Sequence, residues 1–331
     1  MWFERLMGFQ EESPQQVRDH ITVEGSSMTS RINGKKFRWG TLDTPSLAEL
    51  RRQVETGDQR PGELFLHEVV AHVQELHADP AHAGALFQVA SQFNLLEMTG
   101  PGITPEEGVG MYEFDRTQGP ACAMACGAGT IYRNYFAPVN GRTGQTADNQ
   151  IDCLADLGTA LGNRDNHLWK MKNGYALPSR SGLAELHERI TSAAELERDA
   201  MRQRLRIGIQ QDTQVTLGAC THTVSQAYCS ALPVAYASLP SSLWEPFARL
   251  VLEAAYEATF CAAVLNTRRT GCNRLFLTLL GGGAFGNDIT WILDAIGRAV
   301  DRYRNAPLDV AIVSYGSSHP AVKRLVREAL S

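Results

Sequence analysis

Three stretches of the sequence carry residue types and spacings that could do chemistry. The first is Gly281-Gly-Gly-Ala-Phe-Gly-Asn-Asp288. Glycines clear away side chains, so backbone N–H groups can close on an anion, and a helix beginning just afterwards adds a favourable dipole. This is the chemistry of a diphosphate cradle. The P-loop Lys and Ser/Thr and the dinucleotide-fold spacing are absent, which disfavours ATP hydrolysis and nicotinamide chemistry. A plain turn capped by Asn287 or Asp288 is the alternative, and Phe285 weighs against it because an aromatic ring there could stack on a sugar.

The second stretch is Asp115-Arg-Thr-Gln-Gly-Pro-Ala-Cys-Ala-Met-Ala-Cys-Gly-Ala-Gly-Thr130, followed by Tyr132-Arg-Asn-Tyr-Phe136. Its small residues permit close backbone approach, with Asp115, Arg116 and Gln118 available to fix a polar ligand. A tightly packed structural crossing accounts for the same composition. The third runs from Gly144 to Asp156. There Thr146 reads as an N-cap, and Asp148, Asp152 and Asp156 recur every four residues, which on a helix places all three on one face. Such a face either looks into a cleft or is simply solvated.

These loops need strands to hold them. The apolar spacing of Leu64, Leu66, Val69, Val70, Val73 and Leu76 predicts an amphipathic helix over Glu63 to Leu76, and Leu86-Phe-Gln-Val-Ala90 predicts a strand. Further along, strands are expected at Val215 to Ala219, Arg274 to Leu280 and Val310 to Ser314. Helices are expected at Gly182 to Arg206, Pro246 to Leu265, Ile289 to Tyr303 and from Ala321. Near-continuous apolar strands alternating with helices give an α/β fold with a buried, largely parallel or mixed sheet. In such sheets ligands bind beyond the carboxyl ends of the strands, which is where the glycine loop falls.

Composition narrows the function classes. The chain has 331 residues, 44% of them hydrophobic, enough for a full core. A net charge of −5 argues against a broad nucleic-acid surface. No window reaches the length of a membrane span, and the first residues lack a secretory apolar core, so a soluble cytoplasmic protein is expected, with delivery by a signal-less route left open. Seven cysteines without CxxC pairing read as buried free thiols, and Cys220, His222 and Cys229 lie in apolar sequence that favours packing over a nucleophile. His67, His72, His77 and His82 recur at intervals of five, a poor metal spacing, and no metal is expected.

Taken together, several motifs resemble a known family. Gln88-Val-Ala-Ser-Gln-Phe-Asn94 resembles the macrodomain strand that ends in an asparagine, and the glycine loop with Phe285 resembles the GAFG loop of poly(ADP-ribose) glycohydrolases. Combined with Asp115-Arg-Thr-Gln-Gly-Pro120 and Gly129-Thr-Ile-Tyr-Arg-Asn-Tyr135, the set is similar to MavL-like hydrolases that remove ADP-ribose from arginine.

The resemblance implies a macrodomain-like three-layer α/β/α domain over residues 86–331, with residues 1–85 an N-terminal extension packed on the core. It also implies ADP-ribose as ligand and product, with no cofactor required and an ADP-ribosylated protein, ubiquitin among the candidates, as partner. Its ligand set is Asn94 near the distal ribose, Gly282, Gly283, Phe285 and Gly286 around the diphosphate and ribose, and Gln92, Thr117, Gln118, Gly119, Ala284 and Asn287 besides. Asp43, beside Trp39, is a candidate for the adenine amine, against a plain turn before the helix from Ser46. The glycohydrolase Gly-Gly-Gly and Gln-Glu-Glu signature is absent after Asn94, which puts polymer cleavage in doubt. The acid role is therefore assigned to Asp148 or Asp152, with Asp156 and Asp115 behind them. A non-catalytic ADP-ribose reader, a hydrolase of free nucleotides and a dead interaction module are the alternatives.

Overall fold

The computed structural model describes residues 1–57 and 61–329. Seven strands form its main sheet: β1 (Thr41–Asp43), β2 (Phe65–Val70), β3 (Leu86–Ala90), β4 (Gly208–Gln214), β5 (Thr223–Cys229), β6 (Arg274–Leu277) and β7 (Asp309–Ser314). They lie in the order β1-β4-β5-β3-β6-β7-β2. The run from β5 to β2 is parallel, while β4 and β1 are antiparallel additions at one side. The mixed, largely parallel α/β sheet expected from the sequence is the one observed.

Both faces are covered. Successive residues of a strand point to opposite faces. Phe87 stacks on His77 of the helix Val73–Ala78, whereas Gln88 donates to Thr259 of the helix Ser241–Thr270 at 3.0 Å. That long helix is anchored by Glu257, fully buried, which accepts from Arg51 at 2.6 Å, Arg298 at 2.7 Å and Arg302 at 2.8 Å. The helix starting after Ser46 forms as expected, closed by a reciprocal capping box between Ser46 and Glu49.

Three local expectations are corrected. Glu63 to Leu76 is not one helix. Residues 65–70 pair in register with all six residues of β7, and a helix resumes only at Val73. Pairing with a strand far along the chain outweighs the local apolar spacing. Val215 to Ala219 is not a strand: it follows β4 and turns at Gly218, φ 55°. The strands on either side are rich in Gln, Thr and Ser, and Gln210 hides its amide by donating to the Trp39 carbonyl at 2.7 Å while fully buried.

Nor do residues 144–154 form a helix. Thr146 donates to Asp148 at 2.7 Å, and Asp152 accepts from the Leu154 N–H at 2.9 Å, so short polar side chains take the places of helical bonds. The helix begins only at Ala155–Ala160, and the three aspartates do not share a face. Residues 1–85 supply both edge strands of the sheet, β1 and β2, besides a separate three-stranded sheet of Ile21–Glu24, Ser27–Ser30 and Lys36–Arg38.

Candidate functional site

A cavity of about 610 Å³ opens beyond the carboxyl ends of β2, β3, β5, β6 and β7. Its size suits a nucleotide-sized ligand. The segments following these strands build its walls, as expected for an open parallel sheet.

The glycine loop after β6 forms one wall. Gly281 and Gly286 hold left-handed backbone, φ 74° and 70°, which lets the loop double back on itself. Asn287 pins the turn from behind, donating to the Leu232 carbonyl at 2.8 Å. Gly283, Ala284 and Phe285 line the cavity, and among the described residues their N–H groups donate to no protein atom. Beside them stands an aromatic wall, with Phe285 5.3 Å from Tyr175 and 5.7 Å from Tyr236 between ring centroids. Tyr175 is fixed by donating to the Met98 carbonyl at 2.8 Å.

Another wall is the turn into the helix Gln118–Ala125. Asp115 accepts from the Thr117 N–H at 2.8 Å, and Gln118 is spent on β3, accepting from Ala90 N–H and donating to the Gln88 carbonyl, each at 2.9 Å. Gly119 must be glycine here, because a Cβ would sit 2.0 Å from the Ala90 carbonyl oxygen. Gln92 reaches back to Met98 through both ends of its amide, 2.9 and 3.2 Å.

A third wall, after β7, was not foreseen. Glu68 on β2 accepts from Ser314 at 2.6 Å, from Ser318 and from the His319 N–H at 2.9 Å, holding the loop that carries exposed Tyr315. Burial raises its pKa, but the hydrogen bonds from Ser314, Ser318 and His319 outweigh this and hold the carboxyl below its usual range. No local pattern singles out Glu68, which lies within the span expected to be helical.

Glu97 was also missed. It lines the floor, 2% exposed, with both oxygens free of hydrogen bonds among the described residues. Burial pushes its carboxyl up to about 8, against the pull of the Arg133 guanidinium 3.5 Å away. The one cue was an acid inside the apolar run Leu95-Leu96-Glu97-Met98.

Of the residues singled out from sequence, Gln92, Asp115, Thr117, Gln118, Gly119, Gly283, Ala284 and Phe285 come together around this cavity. Gly282, Gly286 and Asn287 shape its glycine loop from behind. Asn94 lies outside the lining, fully buried, donating to Gln150 at 2.9 Å and accepting from the Leu96 N–H at 3.1 Å. Asp148 is exposed and paired with Arg142 at 3.1 Å, Asp152 caps its own loop, and Asp156 pairs with Arg206 at 2.8 Å. Asp43 lines a second cavity of about 450 Å³ together with Glu49 and Arg206, and Trp39 stacks on Tyr132. Among the described residues no helix is long and apolar enough to cross a membrane.

Comparison with solved structures finds poly(ADP-ribose) glycohydrolase of Deinococcus radiodurans in complex with ADP-ribose, at 15% identity and TM-score 0.46, covering 87% of this chain and 93% of that one. It also finds poly(ADP-ribose) glycohydrolase of Thermomonospora curvata, at 11% identity and TM-score 0.45, covering 95% of each. No family model and no curated protein matches the chain.

Proposed function

We propose that the chain is a macrodomain-like ADP-ribosyl hydrolase that removes mono-ADP-ribose from a modified protein side chain, with arginine as the linkage. The observation that carries this reading is the composition of the large cavity. A glycine loop with three N–H groups that, among the described residues, meet no acceptor faces it beside the aromatic wall of Phe285, Tyr175 and Tyr236, and Asp115 lines the same cavity. Unengaged N–H groups suit a diphosphate, and an aromatic face suits a ribose or base.

Of the four aspartates considered, Asp115 alone lines this cavity, so we assign it the carboxylate role. Cleavage at the anomeric carbon passes through an oxocarbenium-like state, which a nearby carboxylate stabilises while it orients water. The arginine linkage rests on the motif resemblance, because Asp148, Asp152 and Asp156 are dispersed and engaged elsewhere.

The test is release of ADP-ribose from arginine-, serine- and glutamate-linked substrates by wild type, Asp115→Asn and Asp148→Ala. Arginine-selective turnover that falls about a hundredfold to ten-thousandfold in Asp115→Asn and persists in Asp148→Ala supports the reading. Tight ADP-ribose binding without turnover on any linkage makes the protein a reader and removes the catalytic assignment.

A further inference from the structure

The reading above leaves the carboxyl at the cavity floor without a role. Glu97 is almost wholly buried, lines the cavity and has no hydrogen-bond partner for either oxygen among the described residues. Burial penalises an ionised carboxylate there more than the attraction of the Arg133 guanidinium 3.5 Å away returns, so the protonated form is favoured. A protonated carboxyl at the edge of a ligand cavity has a hydrogen to donate into it.

The groups packed around Glu97 come from four elements. Arg133 comes from the helix Gly127–Tyr135, Cys122 from the helix Gln118–Ala125, Tyr228 from β5 and Tyr112 from the turn Gly110–Phe114. Burial drives Tyr112, Cys122 and Tyr228 well above their usual ranges, so none of them titrates near neutrality. Arg133, the one permanent cation, is held rigidly: it donates to the Leu95 carbonyl at 3.0 Å and to Thr130 at 3.2 Å, and it lies 3.6 Å over the Tyr228 ring. Gly119 leaves room for this arrangement, since a Cβ there would come within 3.2 Å of the Glu97 Cγ.

We propose that Glu97 is the general acid of the hydrolysis, with Arg133 as the positioning residue that holds its carboxyl at the cavity floor. The proposal rests on the hydrolase reading given above. In the step, the bond from the anomeric carbon to the leaving nitrogen or oxygen breaks with its electron pair on the leaving atom, which takes the Glu97 proton. Water forms the new bond to the anomeric carbon and gives its proton to the Asp115 carboxylate. Solvent then returns a proton to Glu97 and removes one from Asp115, so both groups are reset.

The sign of the pH dependence follows from the acid being the active form. Turnover depends on the protonated carboxyl, so kcat/KM falls as pH rises through about 8. Arg133 lowers the pKa of Glu97, so Arg133→Met moves that falling limb to higher pH.

The experiment compares wild type and Glu97→Gln on arginine-linked ADP-ribose and on an ADP-ribosyl nitrophenolate, whose leaving group needs no proton. Calorimetric ADP-ribose binding serves as the check on folding. The expected result is a loss of roughly a hundredfold or more in kcat on the arginine substrate, little loss on the nitrophenolate, unchanged binding and a vanished alkaline limb. A carboxyl resonance of Glu97 titrating near pH 8 in ¹³C-labelled wild type gives the same answer without a substitution. Equal losses on both substrates, or a wild-type profile flat across pH 8, overturn the role of Glu97 and leave the hydrolase standing. Absence of wild-type turnover on every substrate overturns both.

Discussion

Replacing Gly119 with alanine tests the packing on which the cavity depends. Gly119 sits at the start of the helix Gln118–Ala125, and its added methyl carbon would come within 2.0 Å of the Ala90 carbonyl oxygen and 3.2 Å of the Glu97 Cγ. A flexible side chain could swing aside, but the Ala90 backbone cannot. Ala90 is paired with Cys229 in the β3–β5 ladder, and its N–H is held by Gln118 at 2.9 Å. The helix must therefore move off the strand by an ångström or more. Overpacking of this kind costs ~1–3 kcal/mol, and a fixed backbone obstacle puts Gly119→Ala at the upper end, about 3 kcal/mol. At roughly 2 °C per kcal/mol for a chain of this size, the melting temperature falls by about 6 °C. ADP-ribose binding weakens with it, because Thr117 and Asp115 ride on the same turn. Gly283→Ala is the control: nothing lies within 4 Å of its added methyl, and it should melt within about 1 °C of wild type. Scanning fluorimetry and ligand calorimetry on the two variants decide the matter. Indistinguishable melting temperatures would refute the close approach of helix and strand.

Other outcomes follow from the same geometry. Phe285→Ala opens the aromatic wall it forms with Tyr175 and Tyr236, so ADP-ribose binding weakens by about tenfold, read by calorimetry. Glu257→Gln removes the buried carboxylate that Arg51, Arg298 and Arg302 share, leaving Asp199 to pair with Arg51 and Arg298. Urea denaturation should register a loss of about 3 kcal/mol or more, with the fold's helical signal intact below the transition. His77 is fully buried against Phe87, and burial holds its pKa down to about 4 from 6.5. Its neutral form stabilises the fold above the unfolded value, and that stability is lost as pH falls through about 4, on the order of 3 kcal/mol over the window. Wild type should lose stability across this range more steeply than His77→Gln, and parallel pH profiles would contradict the assignment.

Apolar continuity made the parallel centre of the sheet legible: β3, β6 and β7 read as buried runs, and the glycine loop between β6 and the helix Ile289–Arg302 announced the end of a strand. The antiparallel side stayed hidden because β4 and β5 bury Gln210 and Gln226, polar residues whose amide groups donate to carbonyls far away in sequence. In the candidate site, residues contributed by the backbone, such as Gly283 and Ala284, were visible as composition. Glu97 and Glu68 were not. What distinguishes them is burial and the identity of their neighbours, and neither follows from local spacing. The aspartate series failed for a related reason: a four-residue interval means one face only where a helix exists, and Thr146, Asp148 and Asp152 satisfy the backbone and one another in ways that prevent one.

The place of β2 has a consequence for how the protein is made. Its strand partner, β7, arrives late: Glu68 and the Ser314 that it accepts from are 246 residues apart. At ~5–20 residues per second, a ribosome needs roughly 10 to 50 s to supply the second after the first. Throughout that interval Phe65–Val70 is a nascent β-segment with an apolar flank and nothing to pair with, and the loop that Glu68 holds beside the cavity has not yet been synthesised. The large cavity is therefore among the last features to form. A cell producing this chain must shelter an aggregation-prone strand for most of its translation.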